Sequence, residues 1–322
     1  MFAKLLSLTV LSFSTLLAQV PDSAPAPALP AVGSDEARGM LDQAFAKMLA
    51  YGRGMFTSKE SHDVAFARQA GLPFGNGDTE LSAGWHRDLV FGEWAGRTFV
   101  RGNGRVASKK GERWHLASDR LLGGKKLPFT ADPQLLFTVL SQLPVEQRKV
   151  VHVEAGAIRG RDVVILTLQL SGSDAHDFAD HGVVPEGSGG FGEVIMLGGV
   201  GNAPEPARAD QTTYIACCVD PQNGDLLRLA VRTVSTGGMG GFQIAVGGVF
   251  GNGGNDEEEG DDDEDEQPAV GDGKPVGWKA GFPAAKPGKD ESVMTFSMDF
   301  TKLGLADVPP IDDAVKPLVG AR

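Results

Sequence analysis

Residues 214–233 read YIACCVDPQNGDLLRLAVRT, two apolar segments separated by a short polar one. The polar segment contains Asn223-Gly224, and this pair favours a tight turn because both residues tolerate positive φ. The flanking segments, 214–219 and 226–233, are rich in the β-branched and other apolar residues that are typical of strands. The stretch therefore predicts an antiparallel β-hairpin.

Short segments of the same kind recur on both sides of this hairpin. The further predicted strands are 80–87, 88–94, 98–102, 113–118, 150–158, 162–170 and 293–300. Many of them are separated by Gly-containing turn sequences at intervals of about 8–12 residues, which is typical of antiparallel strands that follow one another in a meander. The 44 glycines and 19 prolines of the chain also favour turns over long helices.

Cys217 and Cys218 are the only two cysteines of the chain, and they are adjacent on a predicted strand. Neighbouring residues of a strand point to opposite faces of the sheet. We therefore expect one thiol on each face and no disulfide between them.

Two helices are predicted among the strands. Ser34 is suited to cap the first helix, whose apolar residues recur at three- and four-residue spacing from Met40 to Leu49, and Gly52 is suited to end it. Asp132-Pro133 is a helix start and predicts a second helix over residues 134–143. Strands with two interspersed helices indicate an α+β fold.

The N-terminus predicts export. Residues 1–18 combine an early Lys4 with an apolar run shorter than the roughly 20 residues that span a bilayer, as in a cleavable signal peptide. A Pro/Ala-rich tether over 19–33 and a single β-rich domain over 34–322 are expected to follow. Because exported proteins with so few cysteines are typical of bacterial envelopes, we expect a periplasmic or extracellular location.

Two Gly-rich insertions, 182–210 and 237–291, are expected to lengthen connections at the surface of the domain. The second insertion contains the acidic run 256–266, whose ten carboxylates account for most of the formal net charge of −12. The remainder of the chain is close to neutral, which argues against nucleic acid as a partner. The run also lacks the residue spacing of an EF-hand, so we expect it to be exposed and solvated.

The sequence HDFADH is the densest group of metal-ligating residue types. On a helix, His176 would share a face with Asp180, and Asp177 with His181, and each pair offers two ligands to a divalent metal. No third ligand can be identified elsewhere, and a solvated polar loop is the alternative. The chain also has no G-x-S-x-G sequence and no GxxxxGK[ST] loop. We therefore predict neither enzymatic activity nor a bound cofactor.

Aromatic residues are concentrated on the predicted strands. Six of them are candidates for lining an apolar cavity that accepts acyl chains: Trp85, Phe91, Trp94, Phe99, Trp114 and Phe296. The alternative is that they form an ordinary core.

The order of elements resembles one known family. A helix after the signal peptide, a meander, the Asp132-Pro133 helix, a hairpin with Asp220-Pro221 and Gly224, and a last strand before Pro309-Pro310 look like the LolA-like periplasmic lipoprotein carriers and related lipid-binding envelope proteins. The resemblance implies a half-barrel: a curved antiparallel β-sheet with the N-terminal and mid-chain helices packed on its concave face. It implies a lipid or acyl ligand in the cavity between sheet and helices. The alternative is a non-catalytic structural or protein-interaction module of the cell envelope with an envelope protein as partner.

Overall fold

The structure is a computed structural model of the chain. It describes residues 29–63, 79–117, 121–122, 125–126, 132–183, 210–236, 277, 280–282, 288, 291–305 and 311–320. The predicted signal peptide, most of the tether, most of both Gly-rich insertions and the whole acidic run lie outside the described residues.

Eleven of the described strands form one antiparallel sheet. The strands are β1 (Arg53–Asp63), β2 (Thr79–His86), β3 (Leu89–Trp94), β4 (Arg97–Gly102), β5 (Arg105–Lys110), β6 (Arg113–Leu116), β7 (Leu121–Leu122), β8 (Lys125–Lys126), β9 (Val150–Ile158), β10 (Arg161–Ser171), β11 (Asp210–Val219), β12 (Leu226–Thr236) and β13 (Glu291–Thr301). Their order in the sheet is β6-β5-β4-β3-β2-β1-β13-β12-β11-β10-β9, while β7 and β8 pair separately. The predicted hairpin is confirmed as β11–β12, and the last strand of the sheet joins the two halves of the chain.

Helix α1 spans Asp35–Tyr51 and helix α2 spans Pro133–Gln142, so both predicted helices are confirmed. The Ser34 side chain accepts a hydrogen bond from a backbone N–H of the first turn of α1, and Asp132 does the same for α2. A third helix, α3 (Ser173–Asp180), follows β10 directly.

The helices lie on one face of the sheet, which we call the concave face. Helix α1 packs against β11, β12 and α2, and α3 packs against β10 and β11. The opposite face is called the convex face below. This arrangement confirms the predicted α+β fold, a curved antiparallel sheet with the N-terminal and mid-chain helices on its concave side.

The sequence analysis missed two strands of the sheet. It predicted no strand at β1, although β1 pairs with both β2 and β13 near the centre of the sheet. The apolar alternation of β1 ends at Phe56, and the residues that follow it on the same face are Ser58, Glu60 and His62. It also predicted no strand between residues 102 and 113, where β5 spans Arg105–Lys110. Both strands were missed because strand prediction depends on apolar alternation, and polar residues interrupt that alternation in β1 and β5.

One continuous apolar core lies between the concave face and the helices. It contains buried side chains of all three helices and of strands from both halves of the sheet. Aromatic rings connect its layers: the centroids of Phe45 (α1) and Phe137 (α2) are 6.1 Å apart, and that of Phe137 is 5.5 Å from Phe300 on β13. Phe300 also makes an edge-on contact with Trp85 at 5.8 Å. The rings therefore fix both helices to the middle of the sheet.

Two short segments cover the convex face. Residues 311–320 place Val315 and Val319 against the apolar convex residues of β3 to β5. Gly277 and residues 280–282, which we call the convex segment, lie over β10 to β12, where Phe282 packs on a second apolar cluster. Covering both faces explains why β10 is buried at six consecutive positions rather than at alternate ones.

Polar contacts fasten the convex segment to the sheet. The Thr167 hydroxyl donates to the Gly281 carbonyl at 2.8 Å, and the Arg228 guanidinium donates to the Gly277 carbonyl at 2.9 Å. Arg228 is held in place by a two-point ion pair with Asp299 on the neighbouring strand. Part of the predicted second insertion thus packs against the sheet.

Glycine is required where this segment approaches the sheet most closely. Gly281 has a φ of +85°, and a Cβ there would lie 2.7 Å from Ile165 Cγ2 and 2.9 Å from the Ala216 Cβ. Gly96, in the β3–β4 turn, has a φ of +71° but open space around it. We expect Gly281→Ala to lower the free energy of unfolding by about 1–3 kcal/mol more than Gly96→Ala, because only the former adds a steric clash to the backbone strain.

Urea denaturation of the two variants measures this difference. Equal losses of stability in both would contradict the described packing of residues 280–282 on the sheet.

Candidate ligand-binding face

The concave face of the N-terminal half of the sheet is the candidate site. Phe56, Ala83, Gly92 and Phe99 are consecutive register partners across β1 to β4. A Cβ on Gly92 would lie 3.3 Å from a ring carbon of Phe99, so the Phe99 ring leans over Gly92. On this row of the face, Ala83 and Gly92 therefore lie between Phe56 and Phe99.

Neighbouring rows on this face are mostly apolar, but Arg101, the register partner of Val90 and Val106, lies in one of them. Leu81, Trp85, Val90 and Val106 alternate with residues of the convex face and belong to the same core as Phe99. The main helix contacts lie on the other half of the sheet, on β10 to β13. The apolar concave face therefore extends from the strands that the helices contact onto β2 to β5.

A charged cluster holds the C-terminal end of α1 to the β11–β12 turn, at what we call the turn end of the sheet. The Asp225 carboxylate accepts hydrogen bonds from the Tyr51 hydroxyl at 2.6 Å and from Lys47 Nζ at 3.0 Å. Arg161 pairs with Asp220 and lies 3.8 Å from Asp225. These contacts connect the first helix to two adjacent hairpins.

The environment of Asp225 shifts its acidity. Burial alone would raise the pKa of this carboxyl, but the hydrogen bonds from Tyr51 and Lys47 and the positive charges of Lys47 and Arg161 outweigh burial and lower it. The same contact with Asp225 raises the pKa of the Lys47 ammonium despite its partial desolvation. The cluster is therefore stabilised in its ionised form.

The opposite end of the concave face is polar; we call it the far end, where β1 ends and β13 begins. The Gln211 amide lies 3.5 Å from the Thr213 hydroxyl, which lies 3.2 Å from the Thr233 hydroxyl. On β1, Glu60 and His62 are hydrogen-bonded to each other and face the same side. The sequence analysis missed these residues, because their common face becomes visible only once β1 is paired with β13.

The structure separates the six aromatic candidates into two groups. Trp85, Phe99 and Phe296 are buried in the core on the concave side, and Trp94 packs against that core from the same side. Phe91 and Trp114 lie on the convex face, where they pack with residues 311–320.

Contacts of these two residues explain their placement. The Phe91 ring covers Gly84, where a Cβ would lie 2.4 Å from it, and Trp114 Nε1 donates to Asp312 at 2.9 Å. Because they belong to the convex layer, Phe91 and Trp114 are not part of the candidate face.

The HDFADH residues lie at and just beyond α3. His176, Asp177 and Asp180 are on the helix, and His181 follows it as the C-terminal cap. Asp177 and His181 line a cavity of about 290 Å³ between α3 and the C-terminal end of α2, together with Asp174. Within the described ranges, no group of three or more metal-ligating side chains has the arrangement needed to hold an ion.

A second cavity, of about 440 Å³, lies on the convex face at the far end and is lined largely by polar groups, among them Tyr214, Arg232 and Glu291. This cavity lies on the opposite side of the sheet from the apolar concave face.

No family model and no curated protein sequence matches the chain. Solved structures with a similar fold include LprF from Mycobacterium bovis, with 10% identity, a TM-score of 0.35 and an alignment that covers 88% of this chain and 99% of that one. The lipoprotein LppX from Mycobacterium tuberculosis shares 9% identity at a TM-score of 0.36, over 87% of this chain and 99% of that one. A LolA superfamily protein from Nitrosomonas europaea shares 11% identity at a TM-score of 0.24, over 85% and 94%.

Among the described residues, no helix combines the length and apolar character needed to cross a bilayer.

The charged cluster at the turn end gives a pH-dependent prediction. The pKa of Asp225 is lowered by folding, so its contribution to stability is present above the unfolded pKa of about 3.9 and is lost as the pH falls through the lower, folded value. We expect Asp225→Asn to remove this part of the acid-induced loss of stability, measured as the free energy of unfolding between pH 6 and pH 2.

The variant Tyr51→Phe, which removes one of the hydrogen bonds to Asp225, is expected to give an intermediate dependence. A pH dependence identical in wild type and Asp225→Asn would show that the contacts of Asp225 do not stabilise the fold.

Proposed function

We propose that this protein is a non-catalytic, exported envelope protein that binds a hydrophobic ligand, such as a lipid or acyl chain, on the concave face of its half-barrel. The observation that carries the proposal is the continuation of the apolar concave face beyond the strands that the helices contact, onto β2 to β5. Binding by such a face requires no catalytic group, because affinity comes from the apolar area removed from water, at roughly 25 cal/mol per Å².

The shape of the face suits a linear chain. Between Phe56 and Phe99 the row is occupied by Ala83 and Gly92, the smallest side chains available. Where the Phe99 ring moved off Gly92, the small residues between two aromatic rings would give a methylene chain a shallow apolar channel. We propose that the ligand lies across this row, between β1 and β4.

Export is the part of the proposal that rests on the sequence alone. The signal-like residues 1–18 and the tether 19–33 support a mature protein in the periplasm or outside the cell. An aqueous carrier or sensor of lipids would act in that compartment.

A structural or protein-interaction module is the second candidate function. It is favoured by the ring contacts of Phe45, Phe137 and Phe300, which fill the space between the helices and the middle of the sheet with side chains. In this case the concave face would be an ordinary core, and residues outside the sheet would contact a partner.

The two functions predict opposite effects of filling the channel. We expect Ala83→Phe to weaken the uptake of a fluorescent acyl probe at least tenfold, because the new ring occupies the place of the chain. Ala107 is also fully buried, but it lies on β5 and faces the convex layer beside Val315 and Val319. Ala107→Phe is expected to leave probe uptake unchanged and to lose about 1–3 kcal/mol of stability by overpacking.

Native mass spectrometry of the mature wild-type protein, with organic extraction of bound molecules, provides the direct measurement. Co-purification of about one lipid per chain would support the proposal. Three results together would overturn the proposal in favour of the interaction module. The wild type would have the mass of the protein alone and would take up no probe, and Ala83→Phe and Ala107→Phe would lose equal stability.

A further inference from the structure

We infer, on the basis of the proposed function, that the ligand is an amphiphile with an uncharged, hydroxyl-bearing head such as a glycerol or sugar, and that this head lies at the far end of the concave face. The inference rests on a change of polarity along the strands and on one buried hydroxyl group without a partner.

The concave face changes from apolar to polar along its length. At the turn end, β13 and β1 present Phe300 and Phe56 as register partners. Two rows further on, Phe296 is paired with Glu60, and the next row pairs Met294 with His62. The same change occurs on β12, where Leu229 and Val231 are followed on the concave side by Thr233 and Ser235.

Polar residues at this end are buried rather than exposed to water. Thr213, Thr233, Gln211 and Ser235 all have exposed fractions of 4% or less. Burying a polar group without a hydrogen-bond partner costs free energy, so such groups are normally satisfied. Gln211, Thr213 and Thr233 are hydrogen-bonded to one another, so Ser235 is the member of this patch that has no partner among the described residues.

Ser235 supplies the independent observation. Its hydroxyl is buried and, within the described part of the chain, makes no hydrogen bond. It lies on the concave side because it follows Thr233 by two residues on β12. An unsatisfied hydroxyl beside the linked side chains of Gln211, Thr213 and Thr233 is available to a hydroxyl group of a ligand.

The charges at this end select the class of head group. Hydroxyl and amide side chains both donate and accept hydrogen bonds, as the hydroxyls of a glycerol or sugar do. The Glu60 carboxylate faces the same side and would repel a carboxylate or phosphate head. Its hydrogen bond with His62 gives it a partner within the protein. The patch therefore favours a neutral head over an anionic one.

Binding of three probes with the same acyl chain tests the inference: a monoacylglycerol, the fatty acid and its methyl ester. We expect the wild type to bind the monoacylglycerol more tightly than either of the others. Ser235→Ala is expected to lower affinity for the monoacylglycerol roughly three- to tenfold, the effect of one net hydrogen bond, and to leave affinity for the methyl ester unchanged. The conservative variant Thr233→Val is expected to act in the same direction.

Ser297→Ala is the matched control. Ser297 is also a buried serine whose hydroxyl makes no hydrogen bond within the described residues, but it lies on the convex side of β13. We expect this variant to bind all three probes as the wild type does. Folding is verified by the melting temperature, which neither serine variant should change greatly because neither hydroxyl has a partner to lose.

The outcomes separate this inference from the proposed function. If the methyl ester and the monoacylglycerol bind equally well to the wild type and to Ser235→Ala, the polar end does not recognise the head and the inference is overturned, while the apolar site stands. Tighter binding of the fatty acid than of the monoacylglycerol would also overturn it. If none of the probes binds to the wild type, the proposed function itself fails.

Discussion

Pairing of β13 with β1 on one side and with β12 on the other holds the two halves of the sheet together. The N-terminal strands β1 to β6 and the later strands β9 to β12 are each built from neighbours in the sequence, and only β13 connects them. Phe300 of this strand also carries the ring contacts that fix α2 and Trp85. The concave face is continuous because the last strand of the sheet is inserted at its centre.

Both faces of the sheet are covered, but in different ways. Helices with aromatic side chains pack on the concave face, whereas the convex segment and residues 311–320 pack on the convex one. Both segments are fastened by polar contacts such as that between Thr167 and Gly281, and they leave a compact layer. This asymmetry places the larger apolar core on the concave side, where it includes buried residues of β2 to β5 away from the main helix contacts.

The sequence predicted those elements whose signals are local. The Asn223-Gly224 turn, the Ser34 cap and the Asp132-Pro133 start each specify an element within a few residues, and all three elements are present. Strand β1 was missed because its interior-facing residues beyond Phe56 are polar. β1 pairs with β13, which is more than 200 residues away in the sequence, and no local sequence pattern predicts such a pairing.

The candidate site was predicted only in part for the same reason. Aromatic residues on strands could be identified from the sequence, but the face that each occupies depends on the register of the assembled sheet. Phe99 and Phe91 are both strand residues, yet one faces the helices and the other faces residues 311–320. Glu60 and Thr233 share a face only through β13, so the polar end of that face could not be predicted before the pairing was known.

One further consequence concerns the adjacent cysteines, which lie on opposite faces as predicted: Cys217 in the concave core and Cys218 beneath the convex segment. Burial raises the pKa of both thiols, that of Cys218 to about 12, so neither is reactive while its layer is closed. Two consecutive residues thus act as separate chemical reporters: detachment of the convex segment would expose Cys218 to alkylation, while Cys217 would be modified only when the helices leave the sheet.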